Sequence, residues 1–291
     1  MKANLLGRKK WIAYALVAFA VSTTCEGKVL HDSAKLTESD FPQTEPSGSA
    51  STPSSGLQIT VDESWHLDNL DNVASILNET ASYIYSHLRD SPNFQVVVGY
   101  DREMGPISLY RNGDQQFDRV LLSNTPLEYR PQIMYQFSHE FCHVISDYNR
   151  IRSTDSKNEW FHEALCELAS IFVLHSTEEP ALKKYIDDYL EESRDTLAGI
   201  EDFGTWISSK EEGLRTRAAG RHDRKTNAVV AYRLHPLFKQ YPALWNTLWH
   251  LPKSDSTLAV YIEEWKQAID DQDSPLLDRL QELLLGTSDK L

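Results

Sequence analysis

Apolar residues recur along this chain in two rhythms. Leu67, Leu70, Val73, Ile76, Leu77 and Ile84 repeat at the spacing of one helical face, which predicts a helix over Leu67–Arg89. The period then shortens. Phe94–Tyr100 is rich in β-branched residues, Ile107–Tyr110 precedes the turn pair Asn112-Gly113, and Arg119–Ser123 is a third apolar run, so three strands are expected. After Pro131 the helical period returns and persists. Gln132–Tyr148, Glu159–His175, Ala181–Leu197, Asn227–Lys239, Ala243–His250, Thr257–Asp270 and Leu276–Leu285 all read as helices. A small N-terminal sheet followed by a helix-rich C-terminal half places the fold in the α+β class.

The first 56 residues follow neither rhythm. Lys2, Arg8, Lys9 and Lys10 precede the apolar run Trp11–Val21 and the small residues Ser22-Thr23-Thr24-Cys25, the order of an export signal. That run falls short of the ~20 residues a spanning helix needs, although the same segment can stay uncleaved as a membrane tether. Cys25 suggests lipid attachment, against which Thr24 stands where such motifs carry Gly or Ala. Residues 31–56 are Ser, Thr, Pro and Glu with little to bury, and read as a disordered linker. The expected organisation is a signal or short anchor over 1–30, a linker over 31–56 and one folded domain over 57–291. The expected location is outside the cytoplasm, periplasmic or secreted.

Composition narrows the partners. With 43 acidic residues against 29 basic ones the net charge is −14, which makes a nucleic-acid backbone or an anionic membrane surface a poor partner. Residues 1–30 are net basic, so the folded part is more acidic still.

The chemistry lies on two of the later helices. Residues 139–143 read His-Glu-Phe-Cys-His. At ~100° per residue His139 and His143 lie about 40° apart on one helical face, so both imidazoles can reach one ion, with Glu140 beside them and free to act as a base. Ile133, Met134, Phe137, Phe141, Val144 and Ile145 give this helix apolar positions to bury. A catalytic zinc takes three protein ligands and keeps one open position, so a third ligand is expected nearby. Glu159, Glu163 and Glu167 recur every four residues on the next helix, among Trp160, Phe161, Leu165, Leu168 and Ala169. A solvated acidic stripe is the plain reading of such a row, but these neighbours argue for burial, where unpaired carboxylates are costly.

Taken together, the HExxH pattern, nineteen intervening residues, Glu163 and an acid four residues later resemble the gluzincin zinc metallopeptidases, the group of thermolysin and the zinc aminopeptidases. Trp160-Phe161-His162-Glu163-Ala164-Leu165 is similar to their W-x-x-E-G-x segment, with Ala164 in place of Gly. The resemblance covers Gln132–Ala169. It implies a zincin-like architecture, Zn2+ held by His139, His143 and Glu163, Glu140 as general base, and Glu167 as acceptor of the free N–H of a ligand histidine. It also implies hydrolysis of a peptide or protein substrate. In the family a downstream Tyr or His supplies a further donor to the developing oxyanion. His222 and Tyr232 are the candidates, each with a plainer reading as a loop histidine and a packed aromatic.

Other readings stay open. The same residues could serve a non-catalytic zinc-containing binding module of the cell envelope, or a zinc amidase acting on cell-wall peptides. Arg215, Arg217, Arg221, Arg224 and Lys225 either line the cleft and hold a substrate carboxylate or, more plainly, pair with the acidic surface. Cys142 and Cys166 lie one turn from proposed ligands, as a bridge between helices, an auxiliary group near zinc or small buried hydrophobes. His162 and His175 are assigned to packing or surface. One of the three strands is expected to offer its edge to an extended peptide.

Overall fold

The protein is described here by a computed structural model over residues 56–65, 70–89, 93–109, 117–123, 130–146, 157–216 and 223–286. The segment expected to be an export signal, with Cys25, and most of the expected linker lie outside the described residues. Four strands form one mixed sheet in the order β1-β2-β4-β3. β1 (Leu57–Val61) and β2 (Phe94–Tyr100) are parallel, with α1 (Leu70–Tyr85) between them in sequence. β4 (Asp118–Leu122) pairs parallel to β2, and β3 (Ile107–Leu109) closes one side as an antiparallel edge strand, Ser108 opposite Val120. Gly105 lets the chain approach β4 before β3 begins, because a Cβ there would lie 2.8 Å from the Leu122 carbonyl carbon. Across the parallel strands, Asp62 after β1 accepts from Arg119 of β4 at 2.6 Å.

Helices account for most of the rest. α2 (Arg130–Ile145) packs on β3, β4 and α1, and its other side meets α3 (Glu159–Ser176). Phe137, Phe141, Ile133 and Met134 are fully buried in that position. α3 is the central helix. It is apolar around most of its circumference and buried along nearly its whole length, as such a helix must be. α4 (Pro180–Tyr189), α5 (Glu191–Ala198), α6 (Phe203–Leu214) and α7 (Arg224–Gln240) follow, with α7 against the other flank of α3. A tight 3-10 segment (Pro242–His250), α8 (Leu258–Gln267) and α9 (Ser274–Leu285) complete the described chain. Apolar residues of all these layers join one core, so the α+β expectation holds for the described residues.

Four expectations need correction. β1 was not expected, although Leu57, Ile59 and Val61 alternate with Gln58 and Thr60 as a strand does. Ala181–Leu197 is not one helix. It breaks at Leu190, which ends α4 and begins α5 without a Gly or Pro to mark the place. Ala243–His250 belongs to a 3-10 segment rather than an α-helix. α6 went unread because its buried positions, Phe203, Gly204, Ile207 and Leu214, are sparse and interrupted by glycine and serine.

The α3–α7 contact carries a histidine pair: His175, which sequence assigned to packing or surface, and His235, which it did not single out. His175 Nδ1 lies 3.4 Å from His235 Nε2, and His175 Nε2 lies 3.2 Å from Asp187 Oδ1. Burial, then the charges of His175 and Lys239, bring the His235 pKa down to about 4. The unfolded chain takes up this proton below about 6.5. Stability is therefore present above about pH 6.5 and is lost as pH falls toward about 4. Replacing His235 with Gln should flatten the dependence of unfolding free energy on pH across that window by roughly 1 kcal/mol per pH unit, read from denaturant midpoints. An unchanged slope would show that His235 titrates normally in the fold. In the core, Leu77→Ala should cost about 2–5 kcal/mol, since Leu77 of α1 is fully buried. A loss under about 1 kcal/mol in urea unfolding would contradict the packing of α1 described above.

Candidate metal centre

α2 and α3 supply the site from facing turns. His139 and His143 share one face of α2, their ring centroids 5.1 Å apart. Glu163 stands one turn into α3. The start of that helix is fixed from far along the chain. Asn158 makes no side-chain cap and instead donates Nδ2–H to the carbonyls of Ser256 at 2.9 Å and Ser254 at 3.2 Å, while Lys157 N–H donates to Asp255 at 2.7 Å.

Glu163 receives both histidines. His139 Nε2 lies 3.2 Å from Glu163 Oε2 and His143 Nε2 lies 3.7 Å from Glu163 Oε1. One donor atom from each of the three falls within 4.8 Å of the others. Two imidazole nitrogens and one carboxylate oxygen form a set that could hold a metal ion with one position left open. Access comes from one side. The His139 and Glu163 side chains each keep 19% of their surface exposed, against 6% for His143. Glu159 is not part of the group, so only one of the three acids of the row meets both imidazoles.

No protein-family model, curated protein or solved structure matches the chain. The chemistry therefore rests on the geometry.

Charge in the site favours a cation. Burial by itself lowers the His139 pKa, but the hydrogen bond to Glu163 and the charges of Glu140, Glu163 and Glu167 lift it to about 9. Burial would raise Glu163, yet the charges of His143 and His139 and the bond to His139 hold its carboxyl well below the usual range. Glu140 moves the other way. Buried at 5% exposure, it is raised by desolvation, which outweighs the lowering by His139.

Groups from other positions back the acids and one histidine of the site. Ser108 of the edge strand donates to the Glu140 carboxylate, with its Oγ 2.9 Å from Oε2 and also 2.9 Å from the Glu140 carbonyl. Tyr135 donates its hydroxyl to Glu167 Oε2 at 2.5 Å and lies 3.1 Å from the Tyr189 hydroxyl. Glu167 Oε2 is 3.9 Å from His139 Nδ1, ion-pair rather than hydrogen-bond distance, and its buried Oε1 has no hydrogen-bond partner. On the second histidine, Cys166 Sγ lies 3.4 Å from His143 Nδ1. With both Nδ1 atoms turned outward, both Nε2 atoms face Glu163, and these are the nitrogens that would reach an ion held there. One signal for Tyr135 was present, since it precedes His139 by four residues and so shares its face. Ser108 and Tyr189 come from other elements and leave no such trace.

His222 lies outside the described residues. Tyr232 of α7 is half-buried against the core and makes no hydrogen bond to the site. Cys142 and Cys166 are both free and buried, not bridged. His162, assigned to packing or surface, is buried beside His143, their ring centroids 4.8 Å apart, with a pKa brought down to about 4 chiefly by burial. In the basic stretch Arg215 and Lys225 pair with Glu211 and Glu192.

Tyr135→Phe should weaken metal binding by about 10–100-fold with little change in fold, because it removes the donor that orients Glu167 toward His139. Competition against a metal chelator measures this. Unchanged affinity would show that Glu167 needs no support.

Proposed function

We propose that the protein is a zinc-dependent metallopeptidase of the gluzincin type. One observation carries the reading. His139, His143 and Glu163 converge from two buried helices while Glu140, on the same turn as the first histidine, is held apart from the donor set by Ser108. A scaffold that only bound metal would not need a buried, separately oriented carboxylate.

The donor set fits zinc, which favours nitrogen and oxygen ligands in a four-coordinate site with one open place. Bound there, zinc supplies Lewis acidity, polarising a carbonyl and making water a competent nucleophile near neutral pH. Glu140 takes the proton from the attacking water and returns it to the leaving amine. Burial raises its pKa, which strengthens it as a base. Ser108 keeps Oε2 pointed and leaves Oε1 to act.

The sheet supports a peptide substrate. β3 is the edge strand beside α2, and its free side among the described residues can accept an extended chain as an added antiparallel strand. Such a chain would pass Ser108 and so reach Glu140. Export belongs to the same proposal and rests on the basic, apolar and small-residue order of residues 1–25.

Purified protein should hold close to one equivalent of zinc and cleave a peptide library. Glu140→Gln should keep the zinc and lose about 10²–10⁴ of the rate. Absence of zinc would sink the site, and a library left intact by zinc-loaded wild type would favour the binding module.

A further inference from the structure

Behind the three ligands lies a second group of donors that hydrolysis does not use. His143, His162 and Cys166 are all buried, and each places a donor atom within 4.8 Å of the others. The group looks away from Glu163. His143 turns Nε2 toward Glu163 and Nδ1 toward Cys166 Sγ, at 3.4 Å. Ser146 fixes the tautomer of His162. Its hydroxyl donates to the Cys142 carbonyl at 2.7 Å, so its oxygen accepts Nε2–H of His162 at 2.5 Å, and the lone pair of the neutral ring sits on Nδ1.

The chemistry of this set differs from that of the front site. It has a thiol and two imidazoles and no carboxylate, a combination that selects soft cations. Charge narrows the choice further. One thiolate with one monovalent cation is neutral, whereas a divalent ion would leave a net positive charge where burial makes charge costly.

We propose that His143 Nδ1, His162 and Cys166 form a site for a soft monovalent cation of the Cu(I) type, and that filling it releases the metal of the front site. On binding, the Cys166 S–H bond breaks, a sulfur–metal bond forms and one proton passes to solvent. No electron is transferred. The antagonism follows from a single ring. A neutral imidazole has one lone pair, so His143 can serve the front ion through Nε2 with its proton on Nδ1, or the rear ion through Nδ1 with its proton on Nε2. The antagonism rests on the hydrolase reading above; the rear site does not.

The test uses the full chain with Cys25→Ser, leaving Cys142 and Cys166 as its thiols. Zinc-loaded protein is titrated without oxygen with Cu(I) delivered from bicinchoninate. One Cu(I) per chain should enter, one zinc should leave, and peptide hydrolysis should fall in step. Cys166→Ala and His162→Gln should each weaken uptake by more than about 100-fold, beyond the effect of losing a mere supporting contact. Each should also keep its zinc and its own remaining activity at Cu(I) levels that strip the parent. If Cys166→Ala fails to fold, His162→Gln carries the comparison. Loss of zinc from Cys166→Ala at the parental Cu(I) level would overturn the proposal by placing the cation on the front ligands, and Cu(I) uptake with zinc retained would overturn the antagonism. If the parent purifies without zinc, it is the hydrolase reading that fails. The thiolate-to-Cu(I) absorption band, expected in the parent and absent from Cys166→Ala, then decides the rear site, and its absence from both would reject it.

Discussion

Two imidazole rings on α2 and one carboxylate on α3 meet because apolar side chains press the two helices together, and every other property of the site depends on that contact. Phe137 and Phe141 stack at 5.6 Å on α2, while Leu165, Leu168 and Ala169 are fully buried on α3. Each such large side chain contributes about 1.5–3 kcal/mol by leaving water, about as much as one hydrogen bond to a carboxylate in the centre, and the apolar side chains are the more numerous. The polar groups do not hold the helices together. They are carried into place by apolar packing, and their spacing of 3.2 and 3.7 Å records how closely the helices fit.

That placement has an electrostatic cost, which the surroundings offset. Glu140, Glu163 and Glu167 crowd one site, and isolated carboxylates at such burial would be unfavourable. Each is met by a different partner. Ser108 reaches Glu140 from the sheet, the two histidines meet Glu163, and Tyr135 meets Glu167 from within α2. The three acids thus have three separate environments despite sharing one face or one turn of sequence. This division lets one carboxylate serve as ligand, one as base and one as support.

Much of the candidate site was legible because it depends on local periodicity. A four-residue spacing on a helix fixes which side chains share a face, so His139 with His143, and Glu163 with Glu167, could be paired before any tertiary contact was known. Contacts between distant elements carry no such period. Ser108 meets Glu140 across 32 residues and Tyr189 meets Tyr135 across 54, and nothing in either segment marks the meeting. The fold divides in the same way. Long, strongly periodic helices were readable, whereas β1 is five residues long and α6 has only scattered buried positions. The break at Leu190 lacks the Gly or Pro that signals a boundary and is set by how α4 and α5 pack. Tyr232, a chemically suitable residue on the right stretch of chain, is a partly buried aromatic packed against the core.

The anchoring of α3 by residues 254–256 gives the molecule an order in time. The motif that suggests the chemistry ends at Ala169, yet the turn that carries Glu163 begins at Asn158, whose amide is held by carbonyls 96 and 98 residues further on. As the chain is synthesised from its N-terminus, both histidines and the glutamate emerge well before these tethers exist. The segment that aligns the ligands is therefore made long after them, and a chain cut short before Ser254 would carry every residue of the motif without the clasp that fixes the first turn of α3.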